Sequence, residues 1–275
     1  MALEIRKVTP HCGAEIHGVD FSQPVDDRTI AEIEKALVEH TVIFFRDQTM
    51  TPDQHKALGR RFGELHLHPA YPHLLPGHPE IMLIYADEKS KRVAGEDWHS
   101  DVTCDAEPPL GTILHMHELP PVGGDTLFAS MYAAYELLSE PMKRFLEGKT
   151  AIHDGAHVYR GRYGAGDEEP GKVYPKSEHP VIRTHPVTGR KALFVNRVFT
   201  TRIVELKKPE SDAVLEMLYR HIEMPELQCR FGWRVGSIAF WDNRCAQHHA
   251  MWDYYPNRRR GLRVTIKGDR PFYRP

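Results

Sequence analysis

The feature that most constrains the fold is a series of short apolar runs, rich in β-branched and aromatic residues, spread along the 275-residue chain. Gly, Pro, Asn and Asp residues bound these runs, a pattern typical of strands and turns. The runs cover residues 41–45, 81–85, 110–117, 192–195, 237–241 and 262–266. Many short strands predict a mainly β barrel or jelly roll (a double-stranded β-helix) with covering helices, not a parallel α/β sheet.

Helix signals lie between some of these runs. Residues 30–38 carry apolar side chains at helical spacing, and the segment that starts at Thr51 and includes Gln54 has the sequence of a capping box. Further helices are predicted over 131–146 and 209–222. We interpret these helices as packing elements that cover the strands.

One domain is expected over residues 1–275. The sequence contains no internal repeat and no Pro- or Ser-rich linker, and its 41% hydrophobic residues are enough for one sizeable core. Residues 154–190 are dense in Gly, Pro and charged residues. A connection of that length inside a compact domain is usually either disordered or functional, and we expect a lid-like insertion.

Composition argues against several classes of protein. Lys and Arg total 36 against 38 Asp and Glu, so no general positive field would attract nucleic acid. The chain contains no apolar stretch of about 20 residues and no hydrophobic signal segment at its N-terminus. The four cysteines lack the close spacing of a zinc motif or a disulfide framework. We expect a cytoplasmic protein without a nucleic-acid or membrane partner.

A candidate metal motif occurs at His99 and Asp101. Residues two apart on a strand project to the same face, so the imidazole and the carboxylate could share one metal ion. Two imidazoles and one carboxylate on one face of the ion are typical of non-haem iron(II) oxygenases. The chain has 18 histidines, so this pair alone is also compatible with ordinary surface or core positions, and a second histidine must come from elsewhere.

The wider sequence context is more specific. The segments concerned are GELHLHP (63–69), WHSDVT (98–103), GGDTL (123–127), LFVN (193–196), FTTRIV (199–204), FWDNRCAQHHA (240–250) and NRRRGLRVT (257–265). In this order they resemble the taurine/2-oxoglutarate dioxygenase family, which includes alkylsulfate and phenoxyalkanoate dioxygenases, over nearly the whole chain. The resemblance implies an enzyme that uses iron(II), 2-oxoglutarate and dioxygen and releases succinate and carbon dioxide. It also implies a homodimer or homotetramer.

The same resemblance assigns roles to individual residues. The metal ligands map to His99, Asp101 and His248, with His249 expected to point away because neighbours on a strand alternate. Arg259 matches the arginine that binds the distal carboxylate of 2-oxoglutarate, and Thr126 matches a hydroxyl donor to the same group.

Substrate-binding positions map to a third set, comprising His68, Tyr71, Tyr159, Phe199 and Arg263. Ala94 and Gly95 stand where taurine enzymes carry polar residues near the substrate amine, which favours a less polar tail. The predicted substrate is therefore a small organic anion, either taurine or another sulfonate or sulfate ester. Two alternatives stay open: a phenoxyalkanoate-type or other carboxylate dioxygenase and, more remotely, a metal-binding jelly-roll protein or zinc hydrolase without oxygenase activity.

Overall fold

The computed structural model describes residues 3–68, 72–160 and 173–275. The helices of these ranges are α1 (Asp27–His40), α2 (Pro52–Arg60), α3 (Met131–Glu136), α4 (Glu140–Leu146), α5 (Ala156–Tyr159) and α6 (Lys208–Ile222). The strands are β1 (Glu4–Lys7), β2 (Ala14–His17), β3 (Val42–Phe45), β4 (Leu74–Leu75), β5 (His78–Ala86), β6 (Gly111–Glu118), β7 (Thr126–Ser130), β8 (Thr150–Asp154), β9 (Lys176–Pro180), β10 (Ile182–Thr184), β11 (Lys191–Leu193), β12 (Thr200–Ile203), β13 (Gln228–Phe231), β14 (Ile238–Asp242), β15 (Ala246–Ala250) and β16 (Arg259–Ile266). The prediction of a mainly β chain with covering helices is confirmed.

The strands form one large sheet and three smaller ones. The large sheet has the order β1-β2-β3-β14-β6-β16-β5-β4, and its pairs are antiparallel except for β2 with β3. The smaller sheets have the orders β13-β7-β15, β12-β8-β9 and β10-β11. Most neighbours in the large sheet are distant in sequence, so its order could not be read from the chain.

Both faces of the large sheet are covered, as β3 illustrates. All four of its residues are buried. Ile43 and Phe45 pack in the cluster shared with α1 and α2, whereas Val42 and Phe44 pack towards β13-β7-β15, where the Phe44 and Phe231 rings stack at 3.9 Å between centroids. Since successive strand residues face opposite sides, one strand contributes to two cores. The inward-pointing side chains of β14 and β15 lie in the space between the large sheet and the sheet β13-β7-β15.

The capping box of α2 is confirmed. The Gln54 backbone N–H donates to Thr51 Oγ1 at 3.2 Å, and the Thr51 backbone N–H donates to Gln54 Oε1 at 2.8 Å. The helix predicted over 131–146 is wrong as one element, because α3 ends at Glu136 and Ser139 caps a separate helix by accepting a hydrogen bond from the Met142 N–H. Pro141 explains the break, since it lacks an N–H and its ring would clash inside a continuous helix.

The segment 154–190 is more regular than its composition indicates. Its described part contains α5, β9 and β10; β9 pairs with β8, and β10 pairs with β11. Residues 161–172 of the expected lid lie outside the described residues. Within the described ranges, no helix combines the length and the apolar character needed to cross a bilayer.

Candidate metal and cosubstrate site

Three predicted ligands come together between the two sheets. Asp101 Oδ1 lies 3.6 Å from His99 Nε2 and 3.8 Å from His248 Nε2, and one donor atom from each side chain lies within 4.8 Å of the others. All three residues are buried. His99 and His248 are also joined by an isolated β-bridge, in which each backbone N–H donates to the carbonyl of the other. This spacing allows a single ion to contact all three side chains.

Hydrogen bonds orient two of these side chains. His99 Nδ1 lies 2.7 Å from the Asp97 carbonyl, to which its N–H donates, so Nε2 keeps a free lone pair. Asp101 Oδ2 accepts from Thr112 Oγ1 at 2.8 Å and from Trp241 Nε1 at 3.1 Å, whereas Oδ1 faces the two histidine Nε2 atoms and the Arg263 guanidinium. The three atoms that face the common centre are two imidazole nitrogens and one carboxylate oxygen, so the donor set fits a divalent ion such as iron(II).

The protonation states suit a metal site. Burial alone would raise the pKa of Asp101, but the Arg263 guanidinium and the two histidines hold it well below its usual range. Burial, reinforced by the neighbouring His99, lowers the pKa of His248 well below its usual range. Metal ligands bind as ionised carboxylates and neutral imidazoles, and the surroundings favour these forms for Asp101 and His248.

The backbone reaches this geometry in a way that the sequence did not predict. His99 lies in the bridge, but Asp101 lies in a turn, and Val102 after it has a φ of 47°. The two side chains therefore converge because the chain turns, and the expected alternation along a strand is wrong here. Asn243, to which no role was assigned, accepts the Asp101 backbone N–H at 3.1 Å. Its signal was its place in the WDNR segment shortly before His248.

Adjacent histidines on β15 face opposite sides. The His248 ring lies 4.6 Å from the Trp241 ring, between the sheets, whereas the His249 ring lies 5.7 Å from the Trp98 ring. His249 therefore does not join the group formed with Asp101. The alternation expected for this pair is what the structure contains.

A buried cation lies beside the cluster. Arg259, at the start of β16, is 5% exposed; its Nε donates to the Gly124 carbonyl, and its Nη2 has no hydrogen-bond partner among the described residues. It lines a cavity together with Thr126 and His248. Burial lowers the pKa of Arg259 by disfavouring its charge, so a carboxylate from outside the chain would supply the missing counter-charge. The residues fit the distal end of 2-oxoglutarate. Arg258 next to it is exposed.

A second cavity adjoins the first, with which it shares Ala94, Gly95, His99 and Arg263. Among its lining residues are His68, Met82, Ala94, Gly95, Glu96, Asp97, Val158, Tyr159, Val198, Phe199 and Arg263. The structure thus brings four of the predicted substrate-binding residues to one cavity. The fifth, Tyr71, lies outside the described residues.

Arg263 is the cation of this second cavity. It lies four residues beyond Arg259 on β16, and its Nη2 is 2.8 Å from Asp101 Oδ1, although the N–H is poorly aligned for a hydrogen bond. Burial and the Arg263 charge lower the pKa of His68 to about 3. His68 would therefore meet an anion as a neutral hydrogen-bond donor, and Arg263 would supply the positive charge.

Another group of potential ligands, His185, Asp242 and Cys245, lies nearby and is fully buried. The ligand atoms of His185 and Asp242 are already used: His185 Nε2 lies 3.0 Å from Asp242 Oδ2, His185 Nδ1 accepts from the Val187 and Thr188 N–H groups, and Arg244 binds both Asp242 oxygens. We interpret this group as structural.

Comparison with known proteins adds the family context. The family model described as "Taurine catabolism dioxygenase TauD, TfdA family" matches residues 4–265. The chain is 34% identical over 283 residues to the "Alpha-ketoglutarate-dependent sulfonate dioxygenase" of Saccharomyces cerevisiae, covering 98% of the chain and 68% of that protein. It is 34% identical over 283 residues to the "Alpha-ketoglutarate-dependent sulfate ester dioxygenase" of Pseudomonas putida, covering 98% of the chain and 91% of that protein. The crystal structure of a taurine dioxygenase from Burkholderia xenovorans superposes with a TM-score of 0.84 at 37% identity, covering 98% of the chain and 90% of that structure.

Proposed function

Because the chain belongs to the TauD/TfdA family and is an iron(II)- and 2-oxoglutarate-dependent dioxygenase, we propose that it hydroxylates a small organic sulfonate or sulfate ester. The reaction consumes dioxygen and releases succinate and carbon dioxide. The observation that carries the substrate proposal is the pair of buried arginines on β16. Arg259 lines the cavity of Thr126, and Arg263 lines both this cavity and the adjoining cavity that contains His68.

The proposed roles follow from these positions. His99, Asp101 and His248 would hold iron(II), which together with 2-oxoglutarate supplies the oxidising power for C–H hydroxylation. Arg259 would bind the distal carboxylate of 2-oxoglutarate through parallel hydrogen bonds, with the Thr126 hydroxyl beside it.

The second cavity would hold the substrate. Arg263 would bind its anionic head, and neutral His68 would donate a hydrogen bond to the same group. Tyr159 and Phe199 are both buried and would form an apolar wall that limits the access of water.

The tail of the substrate is less restricted than the sequence indicated. Ala94, Val158 and Val198 favour an apolar tail, as expected from the residues before the metal motif. However, Glu96 and Asp97 also line the cavity, so an ammonium group would have acidic neighbours. Taurine therefore belongs in the substrate panel beside unsubstituted alkyl compounds.

A substrate screen tests this proposal. Succinate formation and oxygen uptake would be measured with taurine, alkylsulfonates, alkylsulfates and phenoxyacetates. We expect stimulation by a sulfonate or sulfate ester, and a raised KM for that compound in Arg263→Gln. Arg260→Gln is the matched control, because Arg260 lies on the same strand without lining either cavity. No stimulation by any anionic compound would contradict the proposed substrate class.

The alternative of a metal-binding protein without oxygenase activity has its own test. Anaerobic addition of iron(II) and 2-oxoglutarate to the protein is expected to give a weak visible charge-transfer band. A zinc protein cannot give such a band, and a zinc hydrolase would turn over without oxygen.

We also infer that the large sheet and β13-β7-β15 are the two halves of a double-stranded β-helix in one domain spanning residues 1–275. The shared core around Phe44 and Phe231 supports this arrangement. A lid function for 154–190, a homodimer or homotetramer, and a cytoplasmic location are parts of the same proposal. Limited proteolysis with and without ligands, gel filtration and cell fractionation would test them.

A further inference from the structure

A closed ring of buried hydrogen bonds lies behind the metal motif. The Asn196 side-chain N–H donates to Thr103 Oγ1 at 3.0 Å, and Thr103 Oγ1 lies 2.8 Å from His153 Nδ1. His153 Nε2 lies 3.4 Å from Thr200 Oγ1, which also accepts the Asn196 backbone N–H at 2.9 Å. The four residues are between 0% and 7% exposed.

The donors and acceptors of the ring can be matched. Burial lowers the pKa of His153 well below its usual range, which favours the neutral imidazole. Either tautomer then fits: the Nε2–H form accepts from the Thr103 hydroxyl and donates to Thr200, and the Nδ1–H form donates to Thr103 and accepts from the Thr200 hydroxyl. A network whose donors and acceptors are matched in this way holds its members rigidly.

The ring meets the metal motif at a strained turn. Val102, between Asp101 and Thr103, has a φ of 47°, a genuine outlier for a β-branched residue. Strained backbone persists only where its surroundings hold it. On one side, Asn243 binds the Asp101 N–H; on the other, the Val102 carbonyl accepts from the Asp105 N–H, and the Thr103 side chain enters the ring.

The same ring reaches the wall of the second cavity. Asn196 Oδ1 accepts the Phe199 backbone N–H at 2.9 Å, and Phe199 lines that cavity. One amide side chain thus contacts both the turn after Asp101 and the segment that carries Phe199. His153 and Thr200 are paired residues of β8 and β12, so the ring is fixed to a sheet.

We propose that Thr103 and Asn196 are positioning residues: through this ring they hold the strained Val102 turn and thereby place the Asp101 carboxylate and the Phe199 wall relative to each other. The inference rests on the proposed function of the site. Without the ring, the turn relaxes towards negative φ, and Asp101 Oδ1 moves away from the two histidine nitrogens.

Cobalt(II) binding tests the inference without any substrate. Thr103→Val keeps the side-chain shape and removes the hydroxyl; we expect about a tenfold or greater loss of cobalt(II) affinity, as found when an outer partner of a metal ligand is removed. Thr103→Ser restores the hydroxyl and should bind cobalt(II) like the unsubstituted protein. The matched control is Thr184→Val, whose buried hydroxyl interacts with the Arg274 backbone instead of the ring; it should lower the Tm but leave cobalt(II) affinity unchanged.

A second variant tests the strained turn. Glycine adopts positive φ without strain, so adding Val102→Gly to Thr103→Val should recover most of the lost cobalt(II) affinity. If Thr103→Val does not fold, Asn196→Asp, which keeps the size but lacks the N–H donor, takes its place in the same measurement.

The outcomes separate the ring from the proposed function. A lower Tm with unchanged cobalt(II) affinity in Thr103→Val would show a merely structural ring and overturn the inference. Absence of rescue by Val102→Gly would overturn the role of the turn. A protein that binds cobalt(II) but hydroxylates no anion would contradict the substrate proposal alone, whereas a protein that binds no cobalt(II) would overturn both.

Discussion

The neighbours His248 and His249 show how strongly a metal site depends on the direction of one side chain. Both are imidazoles on β15, but only His248 lies with its Nε2 near Asp101, while His249 lies against Trp98. The number and geometry of the ligands determine metal affinity. Removal of the His248 imidazole leaves two ligands, whereas removal of the His249 imidazole leaves all three.

His248→Ala is therefore expected to weaken cobalt(II) or iron(II) binding by at least about 100-fold, more than the loss of an outer partner usually costs. His249→Ala should bind metal within a few-fold of the unsubstituted protein. Both affinities can be measured by titration under anaerobic conditions. Loss of metal in His249→Ala but not in His248→Ala would contradict the assignment.

Arg259 leads to the second residue-scale prediction. Replacing this buried guanidinium by Gln removes one of the two parallel charge-assisted hydrogen bonds to the proposed 2-oxoglutarate carboxylate, worth about 1.5–3 kcal/mol. We expect the KM for 2-oxoglutarate to rise roughly 10- to 150-fold. Arg258→Gln removes an exposed neighbouring charge and should leave this KM nearly unchanged. Equal values in the two variants would exclude Arg259 as the anchor.

Resemblance located these residues well, but it could not supply their surroundings. The sequence alone offered His99 and Asp101 as one pair among 18 histidines, and the motif around His248 made the set specific. The family and the enzyme class are confirmed; the individual roles stay predictions. The Val102 turn and the Asn196 contact were not predictable, because both depend on residues brought together from distant parts of the chain.

At the scale of elements, β16 determines where the two proposed anion sites lie. It is hydrogen-bonded to β6 and β5 on its two sides, so its backbone is fixed along its length. Arg259 and Arg263 are four residues apart and therefore project from the same face of the strand. One strand thus separates the two cationic groups by a fixed distance, with the metal cluster beside them.

The packing of α2 on β16 gives an element-scale prediction. Gly59 lies inside this helix, where Ala would normally be favoured by about 1 kcal/mol. A Cβ at position 59 would lie 2.8 Å from Val264 Cγ1 and 2.9 Å from Leu65 Cδ2. We expect Gly59→Ala to lower the free energy of unfolding by about 1–3 kcal/mol, because overpacking outweighs helix propensity.

Urea denaturation measures this change. Val264→Ala removes the closest contact to the new Cβ. It should therefore lower the free energy of unfolding by less in the Gly59→Ala background than in the unsubstituted protein. A more stable Gly59→Ala variant would show that the helix can shift away from β16 without loss.

Elements with clear local signals were predicted, and those without them were missed. The α2 capping box depends on four consecutive residues and was confirmed. By contrast, β9 has the sequence KSEHP, which carries no apolar alternation, and it forms a strand because β8 lies beside it. Tertiary pairing of this kind overrides local preference.

At the scale of the whole molecule, the arrangement of layers is the least predictable property. The large sheet places β14 between β3 and β6, although nearly 200 residues separate β3 from β14 in the sequence. Composition and periodicity predicted a mainly β chain with covering helices, and this coarse class is confirmed. The order of the strands depends on which faces bury each other, and local sequence does not contain that information.

Burial of neutral histidines in these layers makes stability depend on pH. Burial lowers the pKa of His55 to about 3 and that of His179 to about 4, and both side chains are almost fully buried. In the unfolded chain a histidine has a pKa of about 6.5, so below this pH the unfolded state binds more protons. Their contribution to stability is therefore complete above about pH 6.5 and decreases as the pH falls towards 4.

Of the free energy of unfolding that the metal-free protein loses between pH 7.5 and pH 5.5, these two histidines should account for about 2–3 kcal/mol. Urea denaturation at both pH values measures the change. His55→Gln keeps a side-chain N–H near the Ile113 carbonyl but cannot titrate, so it should reduce the difference by about 1.4 kcal/mol. If this variant and the unsubstituted protein lose the same stability over this range, His55 is protonated at the same pH in the folded and unfolded states, and burial does not control its charge.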